Sequence, residues 1–420
     1  MRVKVEIEWF IFLSNQKSIE SLPKFSESQT RKLRKIYQDF DSKESSSVKK
    51  IENTTKHDVK AVEYFIKNKI KNNKLVNKYK EHIHICCTSE DINNIAYSLM
   101  IKEGRDLLIY QANMLQRAMK SMGKKYKNIA MLSHTHGQPA SPTTMGKEFI
   151  NFYRRLDAQI NDLSNIEIKG KFNGATGNYS AHSVTYPKIN WPNTMRKFVN
   201  SLKLEFNNHT TQIEPHDYIA DLCHKINHIN SILIGFSQDI WAYISKNYFT
   251  QKNIKGEIGS STMPHKINPI NFENAEGNLG MSNAISQYFA NKLVISRLQR
   301  DLSDSTVLRN IGLVYAYSIV AYKNITLGLS KLDINKQKIN DDLDECWEIL
   351  AEPIQMVARK YQISNSYEYL KQYTRGKKVD KGVIEKIIIN LHIPENEKSR
   401  LLELTPRKYI GYASKLCDVK

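Results

Sequence analysis

The stretch Ile219-Ala-Asp-Leu-Cys-His-Lys-Ile-Asn-His-Ile-Asn-Ser-Ile-Leu-Ile-Gly-Phe-Ser-Gln-Asp-Ile-Trp-Ala-Tyr243 decides how this chain folds. Its apolar residues Ile219, Leu222, Ile226, Ile229, Leu233, Phe236, Ile240 and Tyr243 recur in alternating steps of three and four for more than three heptads. That period is the seam of a long helix packed in a bundle, and no strand produces it. Proline, the strongest helix breaker, is absent between Pro215 and Pro264, between Pro142 and Pro187, and between Pro269 and Pro353. A second seam runs through Ile92, Ile95, Ala96 and Leu99 to Leu107, Leu108, Leu115 and Ala118, and a third through Phe149, Phe152, Leu156, Ile160 and Leu163. No period-two alternation of comparable length competes with them. The expected fold is therefore all-α, an elongated bundle of helices of roughly 25 to 30 residues, with apolar faces left over for oligomerisation. Three domains are expected: shorter, Lys-rich helices over residues 1–86, the long-helix bundle over 87–330, and a smaller helical domain over 331–420.

The composition fits that architecture. A 420-residue chain with 40% hydrophobic and 25% charged residues folds into a globular protein of two or three domains and is not disordered. No apolar run reaches the roughly 18 residues of a membrane span. The N-terminus, Met1-Arg-Val-Lys-Val-Glu-Ile-Glu-Trp, has acidic residues where a signal peptide has its apolar centre, so an untargeted, cytoplasmic protein without a membrane partner is expected. Five cysteines, Cys86, Cys87, Cys223, Cys346 and Cys417, form no paired spacing and no CxxC, which points to a reducing compartment. His224 and His228 lie one helical turn apart but lack an acidic third ligand nearby, so they read as a polar helix face and no metal site is expected. The net charge of +19 suits an anionic substrate or nucleic acid. Much of the excess is Lys scattered among Asn and Ile, as in Lys67-Asn-Lys-Ile-Lys-Asn-Asn-Lys74, without interleaved aromatics, and compositional drift explains it better than nucleic-acid binding.

The chemistry sits in polar segments around the long helices. The most telling is Gly259-Ser-Ser-Thr-Met-Pro-His-Lys-Ile-Asn-Pro269, where Ser260, Ser261, Lys266 and Asn268 are gathered between a glycine and two prolines ahead of a long helix. Gly256 and Gly259 are placed to hinge such a loop over substrate. Capping of a turn accounts for the serines but not for the cation and the amide. Ser133-His-Thr-His-Gly-Gln-Pro-Ala140 adds two histidines, Thr54-Thr-Lys-His-Asp-Val-Lys-Ala-Val-Glu63 carries His57 and Asp58, and Cys87-Thr-Ser-Glu-Asp-Ile-Asn93 carries Thr88 and Ser89. Thr88 with Asp91 also fits a helix capping box.

The eleven-residue string from Gly259 resembles the signature of the fumarase/aspartase superfamily. With H-D-V at His57 and T-S-E-D-I-N at Thr88, the chain resembles the adenylosuccinate lyase family, in its bacterial-type branch. Lys171 to His182, Thr210 to Tyr218 and Arg300 to Asn310 extend the resemblance along nearly the whole chain. It implies a lyase that eliminates fumarate from adenylosuccinate, giving AMP, and from SAICAR, giving AICAR, without metal or organic cofactor. It also implies a homotetramer whose active sites are shared between subunits. By position, Ser260 is the general base and His136 the general acid, oriented by Glu273, while His57 supports substrate position or charge. Asp58, Thr88, Ser89, Gln212, Ser261, Lys266, Asn268, Asn274, Arg300, Ser305 and Arg309 match substrate contacts. The logic is physical: removing a proton beside a carboxylate builds a dianionic aci-carboxylate, which a cation and amide donors stabilise. Arg300 and Arg309 are suited to bidentate capture of phosphate or carboxylate. Two departures are expected to matter. The chain opens beyond the family's Asp-Gly-Arg-Tyr segment, so its first domain reads as truncated and its nucleotide affinity is put in question, and Lys56, beside His57, stands where a close relative has Asn. The rivals are another superfamily lyase, such as an argininosuccinate lyase, and a basic nucleic-acid-binding or inactive homologue.

Overall fold

The computed structural model describes residues 1–420 apart from 253, 255, 257–261, 264, 377, 378 and 420. Its architecture is all-α. The longest helices are Ser89–Lys125, Met145–Asn165, Asp217–Ser245, Ile270–Lys292 and Ile311–Ser330. The three seams read from sequence fall inside the first three of these. Ile219, Leu222, Ile226, Ile229, Leu233, Phe236 and Ile240 are all buried, as a bundle seam requires. The sheets among the described residues are short and two-stranded: Ala130–Thr135 with Gln138–Thr144, Lys169–Gly170 with Glu205–Phe206, and Phe249–Gln251 with Leu332–Ile334.

The chain divides into two compact units, one of residues 1–109, 162–227 and 281–316, the other of residues 110–161, 228–280 and 317–420. In the first unit the helix Arg2–Ser14 is largely interred, with Val3, Val5, Ile7, Trp9, Phe10, Ile11 and Leu13 all buried. Trp9 is fully buried, its ring 4.8 Å from Phe172 and 5.1 Å from Phe198. Asp91 and Lys171 form an ion pair at 2.7 Å with neither side chain exposed. Such a pair survives burial only if its remaining polar valences are met. Asp91 also accepts from the backbone N–H of Thr88 (2.9 Å), Asn173 (3.1 Å) and Gly174 (3.2 Å). Asn94 completes the tie, accepting from the N–H of Lys171 at 2.8 Å and donating to its carbonyl at 2.9 Å. The start of the Ser89–Lys125 helix is thereby locked to the 171–174 segment.

The second unit is built on aromatic packing among Tyr126, Phe149, Phe152, Phe236 and Phe249. Deeper in it the Tyr322 hydroxyl donates to Asn230 Oδ1 (2.9 Å), and the Asn230 amide donates to Ser318 Oγ (3.0 Å). The antiparallel pair Ala130–Thr135 and Gln138–Thr144 is a hairpin closed between Thr135 and Gln138. Its two connecting residues, His136 and Gly137, have φ of 54° and 75°. Positive φ at both central positions is the turn whose twist matches paired strands. Residues 336–408 form shorter helices, beginning with Lys336–Glu345.

Candidate active site

The first unit holds most of the residues expected from sequence to contact an anionic substrate. His57 is the N-cap of helix Asp58–Ile70, its Nδ1 accepting from the backbone N–H of Lys60 at 3.2 Å. In the neutral ring that leaves the proton on Nε2. Asp58 follows at the first helical position, where the helix dipole favours a carboxylate. Its Oδ1 accepts from the N–H of Val59 (2.8 Å) and its Oδ2 pairs with Arg2 (3.0 Å). The preceding Lys56 ends helix Ser42–Thr55 in the left-handed region, φ 54°, which Asn adopts more readily than Lys. Arg2 also donates through Nε to Asn93 Oδ1 at 2.6 Å, so one guanidinium joins the His57 helix to the helix that begins at Thr88-Ser89. Thr88 and Ser89 are half-buried, and the Thr88 N–H is capped by Asp91.

Arg300 lies between two buried carboxylates, 3.4 Å from Glu90 and 3.2 Å from Asp304. Burial drives the Glu90 carboxyl up to about 7, against the pull of Arg300 in the opposite direction. Gln212 is tied to the same neighbourhood, its backbone N–H donating to the Gln299 carbonyl (3.2 Å) and its side chain to the Ala175 carbonyl (2.9 Å). Ser305 lies within helix Ser303–Leu308, and Arg309 is exposed at that helix's end. Tyr97 sits within electrostatic reach of Arg2, Arg309, Glu90 and Asp58, and burial raises its phenol above the usual range. With Arg2 and Asp58 it lines a cleft of about 690 Å³.

The second unit carries the proton-transfer candidates. His136 is exposed at the tip of the hairpin. Lys266 and Asn268 precede helix Ile270–Lys292, with Lys266 exposed and Asn268 half-buried. Glu273, in the first turn of that helix, accepts from Trp241 Nε1 at 3.0 Å. Among the described residues it makes no hydrogen bond to His136 within this chain. Asn274 accepts from the Asn278 amide at 3.1 Å. Ser260, Ser261 and Gly259 lie outside the described residues. No group of three or more metal-ligating side chains occurs among the described residues, and His224 and His228 both face outward on their helix.

Sequence reasoning missed Arg2, Glu90, Tyr97, Trp241 and Asp304 as members of these surfaces. The 300/304 spacing of opposite charges, with Arg300 just ahead of helix Ser303–Leu308, was a usable signal. The contacts of Arg2, 56 and 91 positions from its partners, left none.

Cations displayed beside helix starts in the first unit suit anionic groups, and a histidine held forward on a two-residue turn in the second suits proton transfer. The fold is shared with a 3-carboxy-cis,cis-muconate lactonizing enzyme from Pseudomonas putida (TM-score 0.78, 17% identity, 99% of this chain and 93% of that one). It is equally close to a fumarate lyase from Mesorhizobium sp. BNC1 (TM-score 0.77, 15% identity, 99% and 94%). A lyase family model matches residues 4–283, and an adenylosuccinate lyase C-terminal model matches residues 296–410. The class is thus a lyase of the fumarase/aspartase superfamily.

Within it the similarity is specific. The chain is 52% identical over 418 residues to the adenylosuccinate lyase of Buchnera aphidicola subsp. Schizaphis graminum, covering 99% of this chain and 92% of the relative. To the Escherichia coli K12 enzyme it is 48% identical over 419 residues, with the same coverage, and to that of Legionella pneumophila strain Corby 49% over 416 residues, covering 99% and 91%. The chain belongs to the adenylosuccinate lyase family.

Proposed function

We propose that this enzyme eliminates fumarate from adenylosuccinate to give AMP, and from SAICAR to give AICAR. The observation that carries this reading is near-full-length identity of about half to adenylosuccinate lyases. The chemical types of the motif residues support it. Ser260, acting as its alkoxide, takes the Cβ proton of the succinyl group, and Lys266 and Asn268 hold the carboxylate that gains charge. The Cα–N bond breaks, fumarate forms, and His136 gives its proton to the departing nitrogen. His57, Asp58, Thr88, Ser89, Gln212, Ser261 and Asn274 position the substrate, and Arg300, Ser305 and Arg309 bind its anionic groups. No cofactor takes part.

The active unit in this reading is a homotetramer, with Glu273 of one subunit orienting His136 of another. Two features favour it. The His136 ring is exposed and, among the described residues, without a hydrogen-bond partner in its own chain. The long helices also carry exposed apolar stripes: Leu313, Val320 and Leu327 are 42%, 44% and 48% exposed at steps of seven. Met100, Leu107, Tyr110 and Met114 repeat the heptad on helix Ser89–Lys125. Residues 87–330 supply this bundle, flanked by domains over 1–86 and 331–420. A cytoplasmic location accords with the absence, among the described residues, of any helix long and apolar enough to cross a membrane.

The test is ultraviolet absorbance on mixing the purified chain with adenylosuccinate. Turnover is expected, and Ser260→Ala and His136→Gln should each reduce it by about 10²- to 10⁴-fold with unchanged circular dichroism. Substantial turnover in either variant would remove that residue from its role.

A further inference from the structure

We propose that Arg2 is a positioning residue that clamps the His57-Asp58 cap and the Thr88-Ser89 helix start into one substrate-facing surface. The inference rests on the lyase reading above and assigns to that site a residue outside its motifs. The geometry is a two-armed bridge: Arg2 Nε donates to Asn93 Oδ1 at 2.6 Å, and Arg2 Nη2 meets Asp58 Oδ2 at 3.0 Å. A planar guanidinium engages two acceptors in fixed directions, which a lysine ammonium does not reproduce. The other Asp58 oxygen is held by the N–H of Val59 at 2.8 Å, so the whole carboxylate is fixed. Next to it, His57 is fixed by its bond from the N–H of Lys60. Asn93 stands one turn into the helix whose first residues are Ser89 and Glu90.

The clamp is mounted on a rigid base. Arg2 opens helix Arg2–Ser14, whose Val5, Ile7, Trp9 and Phe10 have no exposed surface. The Arg2 and Asp58 side chains themselves are 33% and 34% exposed. Pairs this exposed contribute little to stability. Their effect is on geometry, where a displacement of about 1 Å costs on the order of 10²-fold in rate. The other charged or titratable groups of this cleft are the Met1 amine, Lys4, Tyr37, Lys49, Glu52 and Tyr97, and no step of the argument requires any of them to titrate.

The decisive experiment compares wild type with Arg2→Met and Arg2→Lys, reading hydrogen–deuterium exchange and adenylosuccinate turnover together. Arg2→Met is expected to raise exchange in peptides spanning 54–62 and 88–96 but not in one spanning 219–240. Its kcat should fall about 10- to 100-fold, while the thermal midpoint moves by no more than about 3 °C. Arg2→Lys should recover only part of the rate, and adding Asn93→Ala to Arg2→Met should cost little more, because the Arg2–Asn93 pair acts as a unit. Unchanged exchange at both peptides overturns the clamp whatever the activity. Raised exchange with wild-type kcat overturns its functional role, as does an additive loss in the double variant. A silent wild type refutes the substrate assignment instead, and the exchange data then decide the clamp alone.

Discussion

At the scale of single residues, the most exacting environment belongs to His182. It is fully buried, both ring nitrogens lack a hydrogen-bond partner, and Trp191 packs edge-on at 4.9 Å. Burial, helped by Lys171 and opposed by Asp91, lowers its affinity for a proton to about 4. A histidine depressed below its unfolded value near 6.5 contributes stability above that value, and the contribution is lost as pH falls toward the folded value. The expected outcome is a urea-unfolding midpoint that drops from pH 6.5 to pH 4 and drops less in His182→Leu, measured by circular dichroism. Equal slopes for the two proteins would show that folding does not depress the proton affinity of His182. Glu90, raised to about 7, works in the opposite sense, its contribution fading as pH rises from the ordinary carboxylate range toward 7. None of this is legible in sequence, since a histidine in Asn-Tyr-Ser-Ala-His182 looks the same whether it faces water or Trp191.

At the scale of elements, the hairpin that presents His136 matters most. Its two-residue turn demands positive φ at Gly137, which is 75°. A Cβ there would meet open space, so the cost of a side chain is conformational and not steric. Gly137→Ala is expected to lower stability by about 1 kcal/mol. It should reduce kcat more than it raises KM, because in the proposed mechanism the turn aims the proton donor and does not bind the nucleotide. Steady-state kinetics would check this, and an unchanged kcat would show that the ring reaches its target by another route. The long helices were legible because their heptads repeat over many turns. The hairpin was not, because Ser133-His-Thr-His-Gly-Gln-Pro139 alternates too briefly to signal strands and is held in place by its pairing with Gln138–Thr144.

At the scale of the whole molecule, the exposed heptads are the surface through which copies of the chain would meet in the homotetramer proposed above. Val320→Lys with Leu327→Lys places two charges on that stripe while leaving the buried face of helix Ile311–Ser330 intact. Helicity should persist, sedimentation should show dissociated subunits, and turnover should vanish with assembly. An active monomer would refute the shared site. Mixing His136→Gln with Ser260→Ala subunits offers an independent check, since sites built from several chains regain activity in some of the mixed positions.

The sequence by itself determined the all-α class, the long helices and the chemical types at the site, because periodicity and short polar strings are local properties. Tertiary structure decided which of those strings meet. It set Arg2 between Asp58 and Asn93, Arg300 between Glu90 and Asp304, and Asp91 against Lys171 in the interior. Such contacts join residues far apart in the chain and depend on burial, which raises the cost of every unpaired charge and so fixes which partners must be found.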